Sequence, residues 1–294
     1  MKRILKGMRG IKVFKNEPLK DYCSLRIGGK VRYLIKVYNK KALLETLEFI
    51  KKRRLKFLVI GEGTNILFPD EGYNGVIIKL MGEFRKIKRT KNIFLCGGGV
   101  LIKNFINRAV ESGYGGMEFL AGIPGSIGGA VKGNAGAFGK AISEILSRVT
   151  LLDLKGEIKM INRDKIKFDY RFSNIPDNAI IIESEFKLKK AEKKIIKRRI
   201  AEILRMRWQR QPRGLSAGSF FKNPRPLSAG KLIEECGLKG FRVGDATISK
   251  KHANFIINLG RAKAKDVLKL VRIVKKKVKE IKGVELEPEV RIIK

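Results

Sequence analysis

The sequence predicts a mixed fold, α/β combined with α+β, that is divided into more than one part. Its 294 residues exceed one average domain of about 150 residues and suggest two domains or one elaborate domain. Short apolar runs alternate along the chain with stretches in which apolar residues recur at helical spacing. Hydrophobic residues make up 44% of the chain, which is enough for a sizeable core and excludes wholesale disorder.

Four short segments have the composition of buried strands. Residues 56–60, 75–78 and 93–96 are apolar runs, and a glycine or a lysine closes each of them. Residues 178–188 carry three consecutive isoleucines followed by an alternating tail. Each segment is therefore predicted to be a strand.

Four other segments repeat apolar residues every three or four positions, which is the spacing of a helix with one buried face. These positions are Leu43, Leu44, Leu47 and Ile50; Leu101, Phe105, Ala109 and Val110; Ile195, Ile196, Ile200, Ile203 and Leu204; and Val267, Val271, Val274, Val278 and Ile281. The third helix, over residues 191–210, is rich in lysine and arginine, and the break at residues 211–214 is the most plausible domain junction. The last helix is expected to cover a sheet, with solvated lysines on its outer face.

Basic residues dominate the charge of the chain. Sixty-six Lys and Arg residues against 28 Asp and Glu residues give a formal net charge of +38. Such a field attracts polyanions, and nucleic acid is the first candidate. The chain has no basic tail, however, and only 8% of its residues are aromatic. A compositional bias combined with small anionic ligands is therefore favoured over a nucleic-acid partner.

The remaining composition argues against several classes of protein. No segment approaches the roughly 18 consecutive apolar residues of a membrane span, and residues 1–6 are basic but lack the apolar stretch of a secretory signal. Three widely spaced cysteines (Cys23, Cys96 and Cys236) indicate neither a disulfide framework nor a metal site. Because the chain has a single histidine, His252, most types of zinc site are excluded. We therefore expect a cytoplasmic protein without a bound metal.

Two glycine-rich segments carry the strongest local signals. Residues 61–67 follow a predicted strand, and their glycines let backbone N–H groups approach a pyrophosphate. Ile66 stands where a dinucleotide fingerprint needs its third glycine, and a tight structural turn explains this segment nearly as well. Residues 121–139 hold so many small side chains that they can form no core of their own. A long cofactor laid along this backbone is favoured over a flexible linker.

Together with five further motifs, these segments resemble one enzyme family. The motifs are residues 170–173 (Tyr-Arg-Phe-Ser), 216–224 (Ser-Ala-Gly-Ser-Phe-Phe-Lys-Asn-Pro), 229–233 (Ala-Gly-Lys-Leu-Ile), 249–255 (Ser-Lys-Lys-His-Ala-Asn-Phe) and 286–291 (Leu-Glu-Pro-Glu-Val-Arg). All seven motifs occur together and in this order, and the chain therefore resembles the UDP-N-acetylenolpyruvoylglucosamine reductases (MurB) over nearly its whole length. Tyr170 is the last tyrosine, so the tyrosine-bearing insertion of the first family type is missing and the resemblance is to the shorter second type.

The resemblance implies a two-subdomain FAD-binding region similar to the vanillyl-alcohol-oxidase type, plus a smaller α/β substrate domain. Residues 1–53 would form the first FAD-binding subdomain, with residues 284–294 returning near the active site. Residues 54–190 would form the second FAD-binding subdomain. Residues 191–283 would form the substrate-binding domain.

The resemblance also implies a function in the synthesis of peptidoglycan precursors. NADPH would reduce bound FAD, and a hydride would then pass from the flavin to UDP-N-acetylglucosamine enolpyruvate, giving UDP-N-acetylmuramate. The enzyme is expected to be a cytoplasmic monomer that needs no metal, membrane or nucleic acid.

Three residues are expected to be catalytic by the same resemblance. Arg171 would stabilise the negative charge that develops on the substrate, and Ser219 would donate a proton to the carbanion. Glu289 would stabilise or protonate the enolic intermediate. From the residues alone, a surface arginine, a turn serine and a glutamate paired with Arg291 stay open as alternatives.

Further site residues are assigned to the cofactor and the substrate. The expected FAD-binding residues are Gly61, Gly63, Thr64, Asn65, Ile66, Gly122, Pro124, Gly125, Ser126, Gly128, Gly129, Asn134 and Gly136. Lys222 and Asn223 would contact the substrate, and Arg207 is either a partner for its diphosphate or a solvated arginine. Two other functions stay open: another FAD-dependent oxidase or dehydrogenase of the same fold, and a basic nucleic-acid-binding protein without catalysis.

Overall fold

The computed structural model describes residues 9–294 of the chain. Residues 1–8, which include the basic N-terminal segment and the start of the first predicted subdomain, lie outside this range. The six α-helices within it are α1 (Lys40–Lys52), α2 (Ile102–Glu111), α3 (Ile127–Lys132), α4 (Lys193–Arg210), α5 (Ala229–Glu235) and α6 (Ala264–Lys282).

The strands are mostly short. The first ten in chain order are β1 (Ile11–Pro18), β2 (Lys30–Val37), β3 (Phe57–Val59), β4 (Ile66–Leu67), β5 (Tyr73–Leu80), β6 (Ile87–Thr90), β7 (Ile93–Gly97), β8 (Tyr114–Gly115), β9 (Gly136–Ala137) and β10 (Lys140–Ala141). They are followed by β11 (Leu146–Leu152), β12 (Ile158–Asn162), β13 (Phe168–Asp169), β14 (Phe172–Ser173), β15 (Ile180–Lys187), β16 (Lys189–Lys190), β17 (Leu215–Ser219), β18 (Arg242–Val243), β19 (Ala246–Ile248), β20 (Phe255–Asn258) and β21 (Arg291–Ile292).

Three larger sheets contain the longer strands. Their strand orders are β1-β2-β5-β3, β12-β11-β15-β7-β6 and β17-β20-β19-β18. β3 and β5 pair in parallel, and a parallel pair needs a crossover connection. That connection, residues 60–72, carries the first glycine-rich segment. The five-stranded sheet and the C-terminal four-stranded sheet are antiparallel, so the predicted mixture of α/β and α+β architecture is confirmed.

The predicted strands and helices coincide with elements of the structure. The four predicted strands correspond to β3, β5, β7 and β15, and the four predicted helices to α1, α2, α4 and α6. The apolar stripe of α4 is less deeply buried than its spacing suggests. Ile196 is fully buried, whereas Ile200, Ile203 and Leu204 are only partly covered, since charged residues surround them on this helix.

Contacts divide the chain into two compact units. The first unit comprises the described residues up to Lys15, with Tyr33–Gly61 and Gly75–Met206. The second unit comprises Asn16–Arg32, Glu62–Asn74 and Arg207–Lys294. Each unit is therefore made of several separate segments of the chain. The predicted domains, in contrast, are mostly continuous segments. The finer three-part division stays a prediction.

Two early segments belong to the second unit because they bond to its C-terminal part. Ser24 Oγ donates to the carbonyl of Ser216 at 2.7 Å. The carboxylate of Asp70 accepts from the N–H groups of Ala264 and Lys265 at 2.7 and 3.1 Å, which caps the first turn of α6. In addition, β4 pairs in parallel with β21. These partners lie far apart in sequence, so the predicted boundaries could not reflect them.

Each unit has its own apolar core. In the first unit, one cluster packs α1 against the sheet that contains β2 and β5, and another packs α2 and α3 against the five-stranded sheet. Their members include Val37, Leu43, Leu47 and Ile78, and Phe94, Phe105, Ile127, Val149 and Phe186, respectively. In the second unit, α5 and α6 bury residues that include Ile233, Val267, Val271 and Val274 together with Ile256 of β20. The predicted buried face of α6 is therefore confirmed for Val267, Val271, Val274 and Val278, whereas Ile281, near the end of the helix, is 56% exposed and does not join the core.

Among residues 9–294, none of the helices combines the length and the apolar character that a membrane crossing requires.

Candidate active site

Arg171 lies in the tight turn of a short hairpin in the first unit. β13 and β14 pair with Asp169 opposite Phe172, so Tyr170 and Arg171 form the turn. Arg171 has a left-handed φ of 55°, which non-glycine residues adopt uncommonly. The central carbon of its guanidinium lies 5.2 Å from the centroid of the Tyr170 ring, within the range of a cation–π contact. The turn therefore presents a half-buried cation.

The chain that follows α3 supports this hairpin. Asn134 donates from Nδ2 to the carbonyl of Asp169 at 2.8 Å, and its Oδ1 accepts the N–H of Ser143 at 3.3 Å. Ser173 Oγ donates to the carbonyl of Lys132 at 2.7 Å. The second glycine-rich segment and the turn with Arg171 therefore form one hydrogen-bonded assembly.

Ser219 is the last residue of β17 in the second unit, and it is half-buried. It lies opposite Phe255 of β20, and the register shifts between Ser216 and Ser219. Gly218 lies within this irregularity with a φ of 79°, a conformation that favours glycine. A β-bulge re-aims the side chains at a strand end, and bulges are common beside active sites. The strand that carries Ser219 therefore ends in an irregularity that affects the direction of its side chain.

Asn254 braces the chain directly after Ser219. Its Oδ1 accepts the N–H of Phe221 at 2.9 Å, and its Nδ2 donates to the carbonyl of Phe221 at 2.8 Å. Its own carbonyl accepts the N–H of Phe220 at 2.7 Å. Asn254 is only 3% exposed, so water does not compete for these bonds. The sequence assigns Asn254 no role, because a buried amide that braces a distant strand leaves no spacing pattern.

Glu289 lies beside Ser219 in the same unit. The N–H of Glu289 donates to the carbonyl of Phe220, the residue after Ser219, at 2.8 Å. The carbonyl of Glu289 accepts from Asn65 Nδ2 at 3.1 Å. The backbone thus brings two of the three predicted catalytic residues together, although they are far apart in sequence. Their chemical roles stay predictions.

The predicted substrate-binding residues have protein partners of their own. Lys222 Nζ lies 2.6 Å from Glu287 Oε1, and its N–H donates to the carbonyl of Glu287 at 2.9 Å. Asn223 Oδ1 accepts the N–H of Ala229 at the start of α5, at 3.0 Å. Arg207 is half-buried in the last turn of α4. Contact of these residues with the substrate stays a prediction.

The glycines of the first glycine-rich segment are needed for close packing within the protein. A Cβ on Gly61 would overlap Ser126 Oγ. Gly63 has a φ of 61°, and a Cβ there would overlap the carbonyl oxygen of Tyr22. Packing within the protein therefore requires glycine at both positions, and the binding role of this segment stays a prediction.

The second glycine-rich segment uses part of its hydrogen-bonding capacity internally. The N–H groups of Ile127 and Gly128 both donate, at 2.8 Å, to carbonyls in residues 98–100. Ser126 Oγ accepts the N–H of Gly129 at 3.4 Å and so caps α3. The first turn of α3 therefore offers fewer N–H groups to a ligand than its glycine content suggests.

Other backbone N–H groups of the two segments are available. Among residues 9–294, the N–H groups of Gly61 in the first segment and of Gly122 and Gly125 in the second, all within the first unit, have no acceptor in the protein. Unpaired N–H groups on a glycine-rich backbone are what a pyrophosphate binds. The residues present therefore fit an FAD diphosphate.

Tyr22 and His252, both in the second unit, are among the groups with shifted pKa values. Burial and the hydrogen bond to Glu17 at 3.1 Å raise the pKa of Tyr22 to about 12. Burial and the nearby Lys239 ammonium lower the pKa of His252. His252 Nδ1 accepts the N–H of Asn254 at 3.2 Å, which requires that nitrogen to be unprotonated. His252 thus supports the residue that braces the Ser219 strand.

Two family models match the chain. A model described as FAD binding domain matches residues 31–162, and one described as UDP-N-acetylenolpyruvoylglucosamine reductase, C-terminal domain, matches residues 211–293. The curated reductase of Syntrophus aciditrophicus is 39% identical over 100% of this chain and 96% of its own length. The reductase of Caldicellulosiruptor bescii is 40% identical over 97% of this chain and 91% of its own length.

A solved structure agrees with these matches. The crystal structure of UDP-N-acetylenolpyruvylglucosamine reductase (MurB) from Thermus caldophilus has a TM-score of 0.84 at 39% identity. The match covers 97% of this chain and 99% of that chain. The resemblance that the motifs indicated is therefore confirmed along the whole chain, and the protein belongs to the UDP-N-acetylenolpyruvoylglucosamine reductase family.

Proposed function

We propose that the protein reduces UDP-N-acetylglucosamine enolpyruvate to UDP-N-acetylmuramate, with FAD as its cofactor and NADPH as the electron donor. Family membership and the FAD-binding domain support this reaction. The observation that supports the assignment of roles is the hydrogen bond from the Glu289 N–H to the carbonyl of Phe220, the residue directly after Ser219. A flavoprotein oxidase of the same fold would not need this pair.

FAD, when bound, supplies a hydride to the alkene of the substrate. Gly61, Gly122 and Gly125 of the first unit would hold its diphosphate through their backbone N–H groups. Such contacts depend on backbone position rather than on charged side chains. Substitutions on the basic helix α4 should therefore leave flavin binding intact.

Arg171 would stabilise the charge that hydride addition creates. Negative charge develops on the neighbouring carbon of the substrate and on its attached carboxylate. A guanidinium is always protonated, and a preorganised cation contributes most where charge is developing. The short turn that carries Arg171 provides such preorganisation.

Ser219 would donate the proton that completes the reduction. A serine hydroxyl is a weak acid, so it must be positioned and its alkoxide stabilised. The strand irregularity at Gly218 and the bonds from Asn254 hold the backbone on both sides of Ser219. Glu289 would stabilise or protonate the enolic intermediate beside it, and Lys222, Asn223 and Arg207 would bind the sugar nucleotide. We further propose that the enzyme acts as a cytoplasmic monomer.

The test follows NADPH oxidation by the FAD-loaded protein with and without the enolpyruvyl sugar nucleotide. We expect a yellow protein whose NADPH consumption depends on that substrate, with UDP-N-acetylmuramate as the product. Turnover that ignores the substrate would support an oxidase instead. A colourless protein whose affinity for DNA falls steeply with salt would support the nucleic-acid-binding alternative.

A further inference from the structure

We infer that Asn134 is a positioning residue for Arg171 rather than a side-chain ligand of the cofactor. The inference rests on the proposed function, in which Arg171 stabilises charge on the substrate. From the sequence, Asn134 is expected to bind FAD, since it lies in the second glycine-rich segment. In the structure, its side chain bonds to protein groups instead.

Both polar atoms of the Asn134 amide have protein partners. Nδ2 donates to the carbonyl of Asp169, and Oδ1 accepts the N–H of Ser143. The residue is 6% exposed, so these bonds are protected from water. A buried amide loses free energy when a partner is removed, because its polar atom is left unsatisfied. Asn134 is therefore committed to holding the chain that leads to Arg171.

The bond to Asp169 acts at the peptide group that leads into the turn. The Asp169 carbonyl and the Tyr170 N–H belong to one planar peptide. Asn134 holds the carbonyl, and Asp169 Oδ1 accepts the Tyr170 N–H at 2.6 Å. Both polar groups of this peptide are thus fixed. Because Arg171 is the next residue after Tyr170, a fixed orientation of this peptide restricts the backbone that carries the Arg171 side chain.

The hairpin is short, and bonds between Lys167 and Asn174, both at 3.0 Å, close its base. β13 and β14 have two residues each, and even longer isolated hairpins are marginal in water. A second anchor lies on the other side of the turn, where Ser173 Oγ donates to the carbonyl of Lys132. Lys132 Nζ also lies 3.1 Å from Asp177, further along the same chain. Both anchors attach the turn to the end of the second glycine-rich segment.

The backbone of Asn134 explains why asparagine suits this position. Its φ is 44°, in the left-handed region that asparagine and aspartate tolerate better than other non-glycine residues. Glycine and aspartate can therefore replace it without added backbone strain. Asn134→Asp keeps an acceptor for Ser143 but places a carboxylate oxygen against the Asp169 carbonyl. Asn134→Gly removes both bonds.

The experiment measures the two half-reactions separately in FAD-loaded Asn134→Asp and Asn134→Gly. The control is Asn92→Asp, which makes the same change of charge. Among residues 9–294, the side chain of Asn92 has no hydrogen-bond partner. We expect FAD affinity and the rate of flavin reduction by NADPH to stay within twofold of the wild type. Flavin reoxidation by the enolpyruvyl substrate should slow by about 10- to 100-fold, as expected when a catalytic group is misplaced by about 1 Å. The control should behave as the wild type.

A double-mutant cycle links the effect to Arg171. If Asn134 acts through Arg171, then Arg171→Ala combined with Asn134→Asp should be no slower than Arg171→Ala alone. Ser173→Ala, which removes the second anchor, should show the same selective loss in a smaller degree. If neither Asn134 variant folds, normal reoxidation in Ser173→Ala would show that anchoring of this hairpin does not position Arg171 and would overturn the inference.

The possible negative results lead to different conclusions. Weakened FAD binding in Asn134→Asp would make Asn134 a cofactor ligand, and unchanged reoxidation would show that it does not position Arg171. Either result overturns the inference but leaves the proposed function intact. Normal reoxidation in Arg171→Ala alone would overturn the proposed role of Arg171 and the inference with it.

Discussion

The ammonium of Lys79 donates a hydrogen bond of 2.5 Å to the carbonyl of Gly61, and Lys79 is only 7% exposed. Lysine is rarely buried to this extent, because desolvation of its charge is costly. Gly61 is the first residue of the segment proposed to bind the FAD diphosphate. In a trans peptide the C=O and the following N–H point in opposite directions, so holding this carbonyl also orients the N–H of Glu62 and with it the backbone at the start of the segment.

Lys79→Met should therefore weaken FAD binding. A hydrogen bond to a charged group contributes about 1.5–3 kcal/mol, so a loss of about tenfold or more in affinity is expected. The measurement is titration of the apoprotein with FAD, followed by flavin fluorescence. Lys88→Met, which removes an exposed lysine from β6 of the same unit, is the control. An affinity of Lys79→Met within twofold of the wild type would show that the bond does not order the segment.

Gly63→Ala should destabilise the protein even without flavin. A Cβ at this position would overlap the carbonyl of Tyr22, and the φ of 61° is strained for alanine. Strained backbone of this kind costs about 1–3 kcal/mol before the overlap is counted. The matched control is Gly129→Ala, where a Cβ meets only Ser126 Oγ at 3.5 Å. Urea denaturation of the apoproteins should show a lower midpoint for Gly63→Ala alone, and equal midpoints would contradict the packing argument.

Ser219→Ala should separate the half-reactions. Flavin reduction by NADPH should proceed normally in the absence of oxygen, because Ser219 takes no part in it. Reoxidation by the enolpyruvyl substrate should slow by about 10²–10⁴-fold, the usual contribution of a positioned proton donor. Ser219→Cys should recover part of the rate, since a thiol is a stronger acid. Stopped-flow absorbance of the flavin measures both steps, and normal reoxidation of Ser219→Ala would mean that another group delivers the proton.

The two neighbouring glutamates should differ in their effect on turnover. Glu289→Gln should slow reoxidation, because Glu289 is held next to Ser219. Glu287→Gln removes an exposed partner of Lys222, and exposed ion pairs contribute only about 0–1 kcal/mol. We therefore expect a change in kcat for Glu289→Gln, and at most a small change in KM for Glu287→Gln. The reverse pattern in steady-state kinetics would move the catalytic role to Glu287.

His252 should make stability depend on pH. Burial lowers its pKa below the ordinary value of 6.5, so the folded protein favours the neutral ring. Its contribution to stability is present above about pH 6.5 and declines as the pH falls through that value towards the folded pKa. His252→Gln should remove this part of the pH dependence. Urea midpoints measured between about pH 5 and 8 check it, and an unchanged slope in the variant would assign the dependence to other groups.

The local elements of this fold could be predicted because their signal is local. The apolar residues of α2 and α6 recur at helical spacing, and β7 and β15 are short apolar runs. Strands β4 and β21 could not be predicted, since each has two residues and no periodicity. Their pairing depends on segments that meet only after the chain has folded, and the same holds for the capping of α6 by Asp70.

Arg171, Ser219 and Glu289 could be singled out from the sequence, because each stands in a motif that is complete within a few residues. Only the tertiary structure decided what holds them: Asn134 is 35 positions from Asp169, and Asn254 is 33 positions from Phe221. The same amide side chain can bind a cofactor, cap a helix or brace a strand, and its neighbours in sequence do not distinguish these uses. The choice depends on which carbonyl or N–H the fold places within about 3 Å of it, since hydrogen bonds act only at that range.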